Sequence, residues 1–227
     1  MDIRAIIFDV DGTLFSSAHI VEPAYAEAVA LLSKQLGIRL NAPDQKTIME
    51  QIGRPAHLIL KNLFPELDDN ALADMGQATR VALIRLIHAG KGLLYPHVKE
   101  VLTRFSSTGL LLRTASNGNS DYLEAVLSHY DLHSLLGKAV TIYEPGLQDK
   151  GDILLHYQAQ FGLAPEQMVM VGDRINDWDA ARKAKCHFIG VAYGHALAEE
   201  LDGAANIVHT FEELPACLLS LPIAESI

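Results

Sequence analysis

Four apolar residues without polar alternation, Ala5-Ile-Ile-Phe8, stand close to the start of the chain. A short Ile-rich run of this kind suits a strand covered on both faces of a parallel sheet. From Phe15 to about Gly92 the spacing becomes helical, and no convincing strand is predicted there. Pro23 can open a helix that carries Tyr25, Val29, Leu32 and Leu36 on one face and is ended by Gly37. Further helices are predicted over residues 44–52, 56–63 and 70 to about 88, the last with Leu72, Met75, Leu83 and Leu86 inward.

Beyond Tyr95-Pro96, helix and strand alternate. Val98, Val101, Leu102 and Phe105 mark a helix that Gly109 ends, and residues 110–115 follow as a strand that exits at Ser116-Asn117-Gly118. A helix over 121–130, a short apolar segment at 139–142 and a helix over 151–161 come next. The strand 168–171 leaves through Gly172-Asp173. A helix through Ala180 and Ala181 then leads to strand 188–191, and 206–208 is the last strand candidate. Repeated strand-helix units imply a parallel sheet with right-handed crossovers and helices on both faces. The expected fold class is α/β, a doubly wound Rossmann-like parallel sheet core with an inserted helical unit; the core takes residues 1–14 and 93–227, the insertion 15–92.

Composition narrows the partners. The chain has 227 residues, 49% hydrophobic and 20% charged, as in a soluble globular protein. No apolar run approaches the ~20 residues of a membrane span. Met1-Asp2-Ile3-Arg4 leads straight toward the first strand without a signal-peptide pattern, so a cytoplasmic protein with no membrane partner is expected. Cys186 and Cys217 are too few and too unpatterned for a disulfide framework or zinc site. A net charge of -10 argues against a nucleic-acid partner. It also means that an anionic ligand would need a local cation, either metal or Lys/Arg.

Candidate chemistry gathers where predicted strands stop, because parallel sheets present ligands at the carboxyl ends of their strands. Asp9 and Asp11 stand at such a rim, where a turn closing the strand is one reading and a nucleophile with a proton donor is the other. A calcium loop fails on spacing: Gly12 comes too early and Ile20 stands where the closing Glu belongs. Ser116, Asn117 and Gly118 could cradle phosphate oxygens or simply cap a helix. Lys150 precedes a helix start, where the macrodipole disfavours a cation; it is either a surface partner of Asp149 or Asp152, or a cation aimed at a bound anion and Asp9. The strand Val169-Met-Val171 ends in Gly172 and two more acids, Asp173 and Asp177. Four acids at two strand ends of one sheet repel one another unless a hard divalent ion, most simply Mg2+, compensates them.

Asp9-Val-Asp-Gly-Thr13, Thr114-Ala-Ser-Asn117, Lys150 and Gly172-Asp-Arg-Ile-Asn-Asp177, in that order, resemble the signatures of the haloacid dehalogenase-like hydrolase superfamily, in the branch containing phosphoglycolate phosphatase and beta-phosphoglucomutase. The resemblance implies Asp9 as nucleophile and Asp11 as general acid/base. It implies that Ser116 and Lys150 hold the phosphoryl group, and that Mg2+ binds Asp173, Asp177, Asp9 and the backbone carbonyl of Asp11. Dehalogenating members lack the second acid, so Asp11 favours phosphoryl chemistry. The insertion resembles a mobile cap, with Arg54 in its Gly53-Arg54-Pro55 loop as a candidate substrate contact and His19, Glu22 and His57 as weaker ones; an exposed Arg without a role is equally consistent with the sequence.

Several departures stand out. Arg174 replaces a common Ser and could pair with a neighbouring acid or alter the groups around the metal's ligands, the segment after Lys150 is shortened to Gly151-Asp152, and His97 and Lys185 replace common glycines. The expectation is a Mg2+-dependent phosphatase for a small phosphorylated metabolite, a monomer or homodimer. The alternatives are a phosphomutase and a non-catalytic module that binds metal or a phospho-ligand.

Overall fold

The computed structural model describes residues 3–196 and 199–221. Strand β1 (Ala5–Phe8) is fully buried. It leads through a tight turn to β2 (Phe15–Ser16), and four helices follow: α1 (Ala18–Leu36), α2 (Gln45–Met49), α3 (Ala56–Leu63) and α4 (Asp69–His88). Strand β3 (Leu93–Leu94) pairs antiparallel with β2, so a small ribbon joins the helical insertion to the rest. The chain continues as α5 (Val98–Ser107), β4 (Leu111–Thr114), α6 (Ser120–His129), α7 (His133–Leu136), α8 (Lys150–Phe161), β5 (Met168–Gly172), α9 (Ile175–Ala184), β6 (His187–Val191), β7 (Ile207–Val208) and α10 (Leu214–Leu219).

The main sheet has five strands in the order β4-β1-β5-β6-β7, and every adjacent pair in it is parallel. Successive residues of β1 face opposite sides, as a pleated strand requires. Ile6 and Phe8 join one core cluster with residues of α5, α6 and α10, whereas Ala5 and Ile7 join another with residues of α8 and α9. This double coverage explains why the strand is apolar at every position. A third cluster, including Val21, Tyr25, Phe64 and Met75, lies within the insertion. No helix among the described residues is long and apolar enough to cross a membrane.

The structure departs from the sequence reading in several places. α1 begins at Ala18 and contains Pro23 instead of starting there. Buried Ile20 and Val21 draw the helix upstream, while the proline stays on the exposed face. Gly37 does end it, in the left-handed conformation, but Leu36 is 41% exposed and not inward. α2 stops at Met49, short of Ile52, and α4 starts at Asp69 behind the Asp68 cap. The segment 139–142 forms no strand; Thr141 only bridges to Ser116. β2 and β3 are two residues each, too short to show a period.

Candidate active site

Register brings the predicted chemistry to one edge. Phe8 lies opposite Thr114 of β4 and Val171 of β5, so Asp9, Ser116 and Asp173 all leave the sheet at the same end. At Gly12 (φ 91°) the chain turns so close to Asp173 that a Cβ would overlap its carboxylate. Gly172 likewise leaves space that the Asp177 carboxylate fills. The backbone N–H of Arg174 donates to Asp177 Oδ2 at 3.0 Å, fixing that acid in the first turn of α9.

Lys150 opens α8 behind the Asp149 cap. Its Nζ donates to Asp9 Oδ1 and to Asp177 Oδ1, each at 2.6 Å, with the side chain 1% exposed. The surface alternative is thereby excluded, and Lys183 is the residue that pairs with Asp149 and Asp152. Burial alone would depress Lys150, but the carboxylates of Asp177 and Asp9 outweigh it and hold its pKa above the usual lysine range.

Asp9, Asp173 and Asp177 are buried, and one oxygen of each lies within 4.8 Å of the others. Burial pushes Asp9 up to about 7, Lys150 opposing the rise and Asp173 adding to it. Burial raises Asp173 and Asp177 as well. Asp173 accepts from the backbone N–H of His195 at 2.5 Å, whereas the buried Asp9 Oδ2 has no hydrogen-bond partner. One lysine against three close carboxylates leaves negative charge uncompensated. An all-oxygen donor set with an unsatisfied carboxylate oxygen fits a hard divalent cation such as Mg2+.

The Asp11 carboxylate stands apart from this trio. Its Oδ1 accepts from Tyr122 Oη at 2.6 Å, so a metal contact from Asp11 would fall to its backbone carbonyl. Loss of hydration raises Asp11, and the Tyr122 hydrogen bond works against that rise. Tyr122 itself is held well above the ordinary tyrosine range by burial and by Asp11.

A cavity of about 120 Å3 joins these groups to the insertion. Asp9, Asp11, Lys150, Ser116, Asn117 and Gly118 line its sheet side. Ser116 Oγ accepts from Gly118 N–H at 3.1 Å, and α6 is capped by Asn119, so neither Ser116 nor Asn117 is a helix cap. From the insertion, exposed Arg54 borders the cavity, and so does Arg80 of α4, which sequence reasoning missed. His19, Glu22 and His57 are exposed and lie outside its wall. The loop before α3 is tied to the sheet edge: Gly53 O accepts from Asn117 Nδ2 at 2.8 Å and from Asn176 Nδ2 at 2.6 Å, while Ile52 O accepts from Arg174 Nη1. Arg174 also pairs with Glu200 at 2.9 Å, the first of the two possibilities its sequence position offered.

Taken together, a buried carboxylate beside a lysine, a second acid facing the same cavity and a cation-ready trio can support attack on a phosphoryl group followed by proton transfer. The family model described as haloacid dehalogenase-like hydrolase matches residues 3–185. Phosphoglycolate phosphatase of Escherichia coli K12 is 28% identical over 228 residues, covering 88% of this chain and 86% of the relative. That of Aliivibrio fischeri is 28% identical over 215 residues, covering 91% and 92%. Among solved structures, a predicted phosphoglycolate phosphatase from Haemophilus somnus superposes with a TM-score of 0.85 at 21% identity, covering 96% of this chain and 99% of that one. CbbY from Rhodobacter sphaeroides, solved with phosphate, gives 0.77 at 20% identity over 93% and 96%.

Proposed function

The chain belongs to the haloacid dehalogenase-like hydrolase family, and from that premise we propose that it is a Mg2+-dependent phosphatase that hydrolyses a small phosphorylated metabolite through an aspartyl-phosphate on Asp9. The observation that carries this reading is the convergence of Asp9, Lys150 and Asp177 in one buried contact beside a cavity that Asp11 also lines.

Asp9, Asp173, Asp177 and the Asp11 carbonyl would hold Mg2+, which when bound supplies charge neutralisation for the approach of an anionic phosphoryl group. Lys150, Ser116 Oγ and the Gly118 N–H orient the phosphoryl oxygens. Asp9 attacks phosphorus and the bond to the leaving oxygen breaks, while Asp11 donates a proton to that oxygen so that a neutral alcohol departs. Asp11, now ionised, takes a proton from water. The resulting attack on phosphorus releases inorganic phosphate and restores the Asp9 carboxylate. Residues 15–92 act as a cap over residues 1–14 and 93–227, excluding bulk water, with Arg54 in reach of the leaving group.

Relatives named phosphoglycolate phosphatase support hydrolysis over the phosphomutase alternative and make phosphoglycolate the first compound to try. The test is phosphate release from phosphoglycolate, sugar phosphates, nucleotides and para-nitrophenyl phosphate, with and without Mg2+. Metal-dependent release that Asp9→Asn lowers by about a thousandfold or more is expected. Full activity in Asp9→Asn removes the assigned nucleophile, and no turnover by wild type favours the binding-module alternative.

A further inference from the structure

Tyr122 is the third residue of α6, and its hydroxyl reaches Asp11 Oδ1 at 2.6 Å across 111 positions of sequence. The side chain is 7% exposed and belongs to the cluster on the Phe8 face of the sheet, so its ring is fixed by packing before any ligand arrives. Asp11 bridges to Phe15 just before the tight turn at 12–14, and it stands outside the three-carboxylate cluster of Asp9, Asp173 and Asp177, so none of those acids orients its side chain. Tyr122 reaches this carboxylate from the far side of the sheet edge, and the Ser17 hydroxyl at the start of α1 stands beside both groups.

A donor engaged on Oδ1 has a chemical consequence. The proton of the neutral acid then resides on Oδ2, the oxygen left free to hand it on. We propose that Tyr122 is a positioning residue for leaving-group protonation: by holding Asp11 Oδ1 it aims Oδ2 at the departing oxygen and so fits the site to phosphate esters of basic alcohols. This rests on the assignment of Asp11 as general acid. In the step it serves, the new Asp9–phosphorus bond forms as the phosphorus–oxygen bond to the alcohol breaks, and the Asp11 proton moves to the alcohol oxygen. An alkoxide leaves poorly without that proton, whereas para-nitrophenolate leaves readily as an anion.

The experiment compares kcat/KM of wild type and Tyr122→Phe on para-nitrophenyl phosphate and on whichever of phosphoglycolate and the sugar phosphates wild type turns over fastest. This constant covers the steps through departure of the leaving group and leaves out the later attack of water. Expected is a loss of about tenfold or more on the alkyl ester against about twofold or less on the aryl ester. The ratio of the two losses is unaffected by a partly misfolded preparation, which lowers both alike. In an Asp11→Asn background Tyr122→Phe should cost nothing further on the alkyl ester, because it acts through Asp11.

Equal losses on both esters, or none on either, overturn the proposal, as does a wild type that hydrolyses only the aryl ester. A wild type that releases phosphate from no ester fails the phosphatase reading itself, and so distinguishes the two failures.

Discussion

Lys150 sets the charge balance of the site. It is buried, and its two acceptors, Asp9 and Asp177, are buried with it. Removing one partner of such a group leaves the others uncompensated, at a cost of about 3–5 kcal/mol. Lys150→Met should therefore lower stability by about that much at neutral pH and reduce turnover by about a hundredfold or more, read by urea unfolding and by phosphate release. The stability loss should shrink toward pH 5, where the acids relieve themselves by protonation.

The same acids make a signed prediction for wild type. With its folded pKa pushed up to about 7, Asp9 holds a proton in the native state that the unfolded chain releases near pH ~4. The stability this linkage supplies is fully present below that lower value and is lost as pH rises through the folded one. Metal-free protein should thus melt progressively lower between about pH 5 and 7.5, and Mg2+ should raise the midpoint most at the upper end. A flat profile, or a Mg2+ effect independent of pH, would contradict the electrostatic account.

At this scale the sequence revealed the acids and Lys150 because strand exits and helix starts give such residues positional meaning. Tyr122 and Arg80 occupy buried or half-buried helical positions that packing alone would also fill, so no local signal marked them.

Elements explain two of the departures. His97 and Lys185 stand where the family resemblance leads one to expect glycine, and both adopt left-handed backbone, at φ 63° and 55°. Lys185 is the C-cap of α9, so a side chain is strained there. Lys185→Gly should stabilise by about 1 kcal/mol in urea unfolding without changing kcat.

The ties to Ile52 and Gly53 are also a matter of elements, since Arg174 and Asn176 at the start of α9 and Asn117 after β4 all hold one loop of the insertion. Arg174→Ser should speed hydrogen exchange of amides 50–54 by about tenfold or more while leaving β1 and β5 protected. Unchanged exchange would show that the loop is held by other contacts. Helices with a strong apolar face and the Gly53-Arg54-Pro55 loop itself were legible in the sequence, but the docking of that loop was not, because its anchors are backbone carbonyls.

Across the whole molecule, the site exists because β1 is sandwiched between β4 and β5 in a register that ends all three strands together. Alternation of strand and helix was enough to foresee a parallel sheet. The order β4-β1-β5-β6-β7 was not readable, since fully apolar strands carry no mark of their neighbours. Convergence of Asp9 and Asp173 was expected from their places at strand ends, with Lys150 as one of two readings; the register gives the first a physical cause, and the start of α8 brings in the lysine.

The central claim is covalent: phosphorus passes through Asp9. Its most direct test is a single turnover with phosphoglycolate, or with the best substrate found, quenched in acid and followed by mass analysis of the peptide containing Asp9. The account predicts a phosphoryl adduct on Asp9 that forms and decays at the turnover rate and accumulates in Asp11→Asn. Complete turnover with no adduct at Asp9, or an adduct on another residue, would contradict it.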